Sequence, residues 1–235
     1  MALNQGAVGS NANHCTNIPP GSLFNYKMDL EFITLQKVRA EHYSRLVQIQ
    51  QASWDHLDFL TIVDFHVRAK QGQTSFVAMG IEPQGIIQTV GLESLDQLKE
   101  GNYHHLMSLP PISDPKYRLC MDVAIAKKAN GRGLGRDLIN WVIFNIAAYE
   151  PTVERVLTYT PVGMEGWHIE KNGAQLTDIE AFARARLDHK VEEVVILDYT
   201  ERLTEYRNSL MDLSQLIIKG EIPINLIFNP EEPYN

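Results

Sequence analysis

The sequence predicts one α/β domain with a central sheet flanked by helices, and three observations predict it. Apolar runs rich in β-branched residues alternate along the chain with amphipathic stretches of helical period. The 235 residues suit one large domain, or two small ones, with length enough for a real core. One apolar run, KYRLCMDVAIA at 116–126, leads into three alternating glycines and then an amphipathic stretch, which is a strand-to-helix corner.

The elements follow in order. Residues 1–24 are small, polar and broken by Pro19, Pro20 and Gly21, and are expected to form a mobile leader outside the fold. MDLEFITLQ (28–36) alternates as a mostly buried strand. RAEHYSRLVQIQQ (39–51) and LDFLTIVDFHVRAKQG (57–72) carry helical spacing, the second stopping at Gly72. TSFVAMGIEP (74–83) and GIIQTVGLESL (85–95) read as a β-hairpin turning at Pro83-Gln84-Gly85. Residues 96–116 read as a long irregular connection, a place where substrate selection is often built. In 134–150, Leu134, Leu138, Val142 and Ile146 share one helical face, with Ile139 and Ile143 beside them. VERVLTYT (153–160) is a strand, and GMEGWHIEKNGA (163–174) a short helix closed by Asn172-Gly173. VEEVVILDYT (191–200) is the last strand. Residues 201–220 form a helix whose Leu203, Leu210, Leu213 and Ile217 stripe either covers the sheet or makes a homodimer surface. The expected division is a domain over 25–200, with 201–235 as a helix and tail packed on it.

Composition narrows the function classes. The net charge of −8 argues against a nucleic-acid binder driven by phosphate contacts. No run approaches the ~18–20 apolar residues of a membrane span, so no membrane partner is expected. The start has no basic segment followed by an apolar one, so no secretory signal is expected. Cys15 and Cys120 lie far apart and form no CxxC pair, which points away from disulfides and structural zinc and towards a cytoplasmic protein. His104-His105 and the DFH of 64–66 find no third ligand, so no metal is expected.

The glycine corner, NGRGLGRDLI at 130–139, carries the strongest chemical signal. The first amides of a helix have no internal partner and carry partial positive charge, and glycine lets a ligand approach them. Gly131, Gly133 and Gly135 therefore predict a phosphate site, with Arg132 and Arg136 adding charge-assisted bonds. A P-loop is excluded because Arg136-Asp137 stands where Lys-Ser/Thr is needed, and the GxGxG spacing is not the dinucleotide GxGxxG.

VAIAKKANGRGLGRDLI (123–139) resembles the acetyl-CoA motif of the GNAT acyltransferase superfamily; Gly133 and Gly135 match it, and Asn130 departs from the Gln/Arg of its first position. ERVLTYTPVGMEGWHIEKNGA (154–174) resembles the second motif of that superfamily, and the order of elements from 28 to 200 is similar throughout. The resemblance implies a mixed sheet of six to seven strands with a V-shaped splay, flanking helices and an extra C-terminal helix. It implies acetyl-CoA or another acyl-CoA as substrate, and no metal. The pantetheine arm would pair with the main chain around Val123 and Ile125. The pyrophosphate would sit on the amides of Gly131, Arg132, Gly133, Leu134, Gly135 and Arg136.

At the thioester the sequence leaves the family pattern. In many GNAT enzymes a tyrosine of the short helix protonates the leaving thiolate; that position is Ile169, which cannot. Its neighbour His168 is the candidate replacement, or else a half-buried packing histidine. Thr160-Pro161 resembles the Ser-Pro element of malonyl-CoA decarboxylases and of GNAT-like polyketide loading domains, so Thr160 would donate to charge on the thioester oxygen, or else merely end a strand. His189 is a second candidate histidine, and Glu192-Glu193-Val194 stands where related loading domains carry GHGV-like residues. Glu82, Glu93 and Asp122 are candidate bases, and Trp54 a candidate wall of the substrate pocket or a core residue. The leading expectation is acyl transfer from CoA to an amine or thiol on a small molecule or protein. The alternatives are a malonyl- or methylmalonyl-CoA decarboxylase or S-acyltransferase loading an acyl carrier protein, and a non-catalytic CoA-binding domain.

Overall fold

A computed structural model describes residues 26–28, 31–54, 60–70, 75–100, 102–181, 184–185 and 191–221. Eight strands form one mixed sheet: β1 (Tyr26–Met28), β2 (Glu31–Lys37), β3 (Ser75–Met79), β4 (Pro83–Leu92), β5 (Tyr117–Ile125), β6 (Arg155–Pro161), β10 (Val194–Asp198) and β7 (Gln175–Leu176), in that spatial order. The resemblance implied about six to seven; the seven strands from β2 to β7 in that order match it, and the three-residue β1 adds a short edge beside β2. A separate two-stranded pair joins β8 (Arg184–Ala185) to β9 (Val191–Glu192). Among the described residues β5 and β6 are the one parallel pair, and the helix that connects them, α5 (Leu134–Tyr149), is the crossover such a pair requires.

Helices cover both faces of the sheet. On one face lie α1 (Tyr43–Ser53), α2 (Ile62–Lys70), α3 (Gln97–Glu100) and α4 (Tyr103–Ser108). Leu46, Ile49, Phe65, Leu98, Tyr103 and Leu106 from these helices pack with Val77, Ile86, Val90 and Leu119 of the strands. On the other lies α5, whose six predicted core residues, Leu134, Leu138, Ile139, Val142, Ile143 and Ile146, are all buried. They pack with Ile87, Cys120, Val156 and Leu197, and with Leu203 of α7 (Thr200–Ile218). The short helix α6 (Gly166–Asn172) ends at Gly173 with φ 69°, the left-handed cap that Asn172-Gly173 predicted.

Three local expectations are corrected. Residues 96–116 are not irregular throughout, because they hold α3 and α4. The Asn102 side chain caps α4 by accepting from the His105 amide at 2.9 Å, and buried Tyr103, Leu106 and Met107 anchor the helix to the core. The hairpin between β3 and β4 turns at Gly80–Glu82, with Pro83 starting the strand. Gly85 sits inside β4 because a Cβ there would lie 2.7 Å from the Ile125 side chain. The run 191–200 is two strands, broken at the exposed Glu193. Residues 1–24, and His189 with its turn, lie outside the described residues.

Candidate functional site at the parted strands

The parallel pairing of β5 and β6 runs from Tyr117↔Arg155 to Cys120↔Thr158 and stops there. Both strands continue. β5 remains paired with β4 as far as Gly85↔Ile125, and β6 remains paired with β10 as far as Pro161↔Val194. The sheet therefore divides into two arms beyond Cys120 and Thr158. A register shift coincides with the fork: Gln88 pairs with Asp122 but Thr89 with Cys120, so Met121 is an extra residue on β5. A bulge of this kind bends and over-twists its strand, which turns β5 away from β6. At the apex the Thr158 hydroxyl donates to the Cys120 carbonyl at 3.1 Å. Cys120 itself is fully buried, and burial pushes its thiol up to about 12, so it stays protonated.

Along the β5 arm the main chain alternates. The Ala126 amide donates to the Gln84 carbonyl at 2.7 Å, so Ala126 and Ala124 direct their main-chain groups at β4. Val123 and Ile125 then direct theirs away from β4, towards the gap. Ile125 carries an unexpected contact: its carbonyl accepts from the Ser53 hydroxyl at 3.3 Å. That bond fixes the last turn of α1 to the open edge of β5.

The end of this arm is the glycine corner. A short 3₁₀ turn at Lys127–Ala129 precedes it. The three glycines prove to do three different things. Gly131 has φ 76° with nothing within 4 Å of the position a Cβ would take. Gly133 has φ 85° and is the N-cap of α5, so no side chain caps the helix start. The amides of Leu134, Gly135 and Arg136 are the ones that helix geometry leaves without internal partners. Gly135 has an ordinary helical backbone; its Cβ would lie 3.3 Å from the Trp167 ring and 3.7 Å from Ile125. That glycine makes room for a tryptophan of α6, which is a packing role. Leu134 is buried beneath the corner, while Arg132 and Arg136 are exposed. The Arg136 guanidinium lies 3.6 Å from Asp137, whose carboxyl burial holds above the usual range.

On the other arm Thr160 is buried two residues beyond the apex. Leu157 and Tyr159 join the core under α1 and Val156 the core under α5, so strand alternation puts Thr160 on the α5 side. His168, on α6, is buried, with Nδ1 2.7 Å from the Tyr199 hydroxyl. Burial pulls its pKa from 6.5 to about 4, and the same burial pushes Tyr199 upward. His168 is neutral at pH 7. The unfolded chain takes up its proton near pH 6.5 and the folded chain only near pH 4, so this group lowers stability as pH falls through that window. Chemical denaturation at pH 7 and pH 4 is expected to show a His168 contribution of about 3 kcal/mol, which His168→Asn removes. Ile169, in the position of the usual tyrosine, is 37% exposed.

The candidate carboxylates separate cleanly. Glu82 lies in the β3–β4 turn, paired with Lys128 and 3.5 Å from Arg45; the Lys128 hydrogen bond, then the Arg45 charge, hold its carboxyl below the usual range. Glu93 is exposed, its amide bonded to the Gln97 side chain. Asp122 alone reaches the fork. It is buried at the bulge, where it accepts from the Tyr103 hydroxyl and from Gln88 Nε2 at 3.3 Å, and Gln88 in turn accepts from Ser75. Buried Arg68 lies in the field of Asp122 and donates to the carbonyls of Met107 at 2.6 Å and Thr89 at 3.3 Å. Trp54 ends α1, half-buried against the core, with its indole N–H buried and unpartnered. Sequence reasoning missed Ser53, Gln50, Arg68, Tyr103 and Trp167. Only the last carried a signal, as a bulky residue in a short helix with a neighbouring glycine pair. Among the described residues no group of three His, Cys, Asp or Glu could hold a metal, and no helix is long and apolar enough to cross a membrane.

No protein-family model matches the chain, and neither does any curated protein sequence. Solved structures do match. The loading GNATL domain of CurA from Lyngbya majuscula superposes with a TM-score of 0.55 at 16% identity, over 71% of this chain and 96% of that one. The GphF GNAT-like decarboxylase, solved with isobutyryl-CoA, gives 0.56 at 11% identity, over 70% and 98%. Arabidopsis thaliana NAA60, solved with acetyl-CoA, gives 0.50 at 13% identity, over 71% and 97%. These similarities establish that the chain has the GNAT fold.

Proposed function

We propose that this GNAT-fold chain binds an acyl-CoA between the arms of its divided sheet and transfers the acyl group to an amine or thiol. One observation carries the reading. β5 and β6 stop pairing after Cys120 and Thr158, and the β5 arm ends at the uncapped start of α5. An extended chain of amides can lie along the open strand edges while its diphosphate meets the helix amides. Those groups are fixed dipoles, which suits a polyanionic ligand on a protein of net charge −8. The residues present fit the group: Val123 and Ile125 would hold the pantetheine arm, and the amides from Gly131 to Arg136 the diphosphate, with Arg132 and Arg136 at its edge.

In the transfer step the acceptor nitrogen or sulfur attacks the thioester carbon and the C–S bond breaks. CoA leaves as the thiol, taking up the proton that the acceptor releases. Thr160 would donate to the oxygen that gains charge. His168, held neutral and engaged at Nδ1 by Tyr199, leaves Nε2 as the nitrogen that would serve the substrate. Thr160-Pro161 at the end of β6 also supports a second reading, decarboxylation of malonyl- or methylmalonyl-CoA with loading of an acyl carrier protein.

Incubation with acetyl-CoA or malonyl-CoA, followed by mass spectrometry, separates the readings. Loss of carbon dioxide without an amine acceptor supports decarboxylation, and acyl transfer to an added amine or thiol supports the first. Binding of CoA with no turnover of either thioester leaves a non-catalytic CoA-binding domain. Thr160→Val is expected to lower kcat about 100-fold or more with KM little changed, the size of effect seen when an oxyanion donor is lost. Unchanged kinetics would make Thr160 a strand residue and nothing more.

A further inference from the structure

Three polar atoms at the C-terminal end of α1 and its cap are buried without a hydrogen-bond partner: Gln50 Nε2, Gln50 Oε1 and Trp54 Nε1. Gln50 is 0% exposed. The two residues are four apart, and the Trp54 amide donates to the Gln50 carbonyl at 2.8 Å, so the cap residue is tied to Gln50 across the last turn of the helix. Native interiors rarely leave such groups unpaired, because each has lost its water without a replacement. Here a donor, an acceptor and a second donor are left together.

The position of this turn says what would complete it. Ser53, between them in sequence, bonds the Ile125 carbonyl, and Ile125 lies on the open edge of β5. That hydroxyl takes an acceptor that the strand edge would otherwise offer to a ligand amide. The unpartnered carboxamide of Gln50 belongs to the residue three positions before Ser53, a little under one helical turn away. It offers what a secondary amide needs, an acceptor for its N–H and a donor for its C=O, and the Trp54 indole N–H can serve the second lone pair of that carbonyl. A carboxylate, which only accepts, would leave Gln50 Oε1 unpaired.

We propose that Gln50, assisted by Trp54, binds an amide of the pantetheine arm by side chain, in place of part of the strand-edge pairing that Ser53 occupies. This rests on the acyl-CoA reading above. Isothermal calorimetry with CoA and with adenosine 3′,5′-diphosphate, which lacks the arm, tests it on the full chain. Gln50→Leu and Gln50→Met are each expected to weaken CoA about tenfold or more, and Trp54→Phe about fivefold, with the diphosphate nucleotide bound as tightly as by wild type. Gln50 variants are also expected to melt no lower than wild type, since they remove a buried unpaired group. Wild-type affinity for CoA in both Gln50 variants would mean that water alone satisfies the carboxamide, and overturns the proposal. Parallel loss of the nucleotide would place Gln50 in general folding and equally overturns it. If wild type binds neither compound, the acyl-CoA reading itself fails.

Discussion

Gly133→Asp is expected to weaken CoA binding by at least about a hundredfold, or roughly 2.7 kcal/mol, while leaving the fold intact. Gly133 is the N-cap of α5, and no side chain caps that helix. Aspartate is among the best N-cap residues: its carboxylate accepts from the second or third helix amide. It would thus occupy donors proposed for the diphosphate and set a negative charge against it. The φ of 85° adds strain of about 1–2 kcal/mol for a residue with a Cβ, partly offset by the new cap. Gly133→Asn separates the causes, because it caps without charge and tolerates the left-handed backbone. The expected order of affinity is wild type, then Gly133→Asn, then Gly133→Asp, measured by calorimetry at fixed salt. Equal affinities would remove α5 from the binding site.

Arg68→Met is expected to destabilise the protein by about 3–5 kcal/mol, the range found when one member of a buried charge set is removed. The Arg68 guanidinium is buried and holds the Met107 and Thr89 carbonyls, tying α2 to α4 and β4. Burial pulls its pKa down to about 10, and the charges of Tyr103, Asp122 and Asp64 act against that pull. Methionine fills much of the volume but removes the guanidinium from both carbonyls and from the field of Asp122. Denaturant unfolding checks the stability. Asp122→Asn in the Arg68→Met background is expected to restore part of the loss, because it removes a buried charge that the guanidinium offset. A cost below about 1 kcal/mol would mean that water reaches the network.

Much of this was legible in the sequence, for identifiable reasons. α5 was readable to within one residue because its apolar positions recur at helical spacing and a glycine opens it. The end of α6 was readable because only a left-handed residue such as Gly173 closes a helix that way. The glycine corner was readable as a strand-to-helix turn, but the division of labour within it was not. Gly135 answers to Trp167, which lies thirty-two residues on and meets it only through the fold. α4 was missed because Asn102 caps a helix of six residues, too short for periodicity to register. The hairpin turn was misplaced because Pro-Gln-Gly is turn-like in composition, and only the closeness of Ile125 shows why Gly85 belongs in the strand. The network around Asp122 was invisible, since Arg68, Tyr103, Gln88 and Asp122 come from four separate elements.

The short ladder between β5 and β6 has a mechanical consequence. Among the described residues the strand pairing between the two halves of the sheet runs from Tyr117↔Arg155 to Cys120↔Thr158, extended at its start by the Glu154 amide donating to the Lys116 carbonyl at 2.7 Å. Beyond it the two strands run as cantilevers rooted at that seam, Tyr159 of one packed in the core under α1 and Val123 and Ile125 of the other against the core under α5. A ligand laid between them would act as a missing strand, and the stiffness of the whole sheet would then depend on whether that strand is in place.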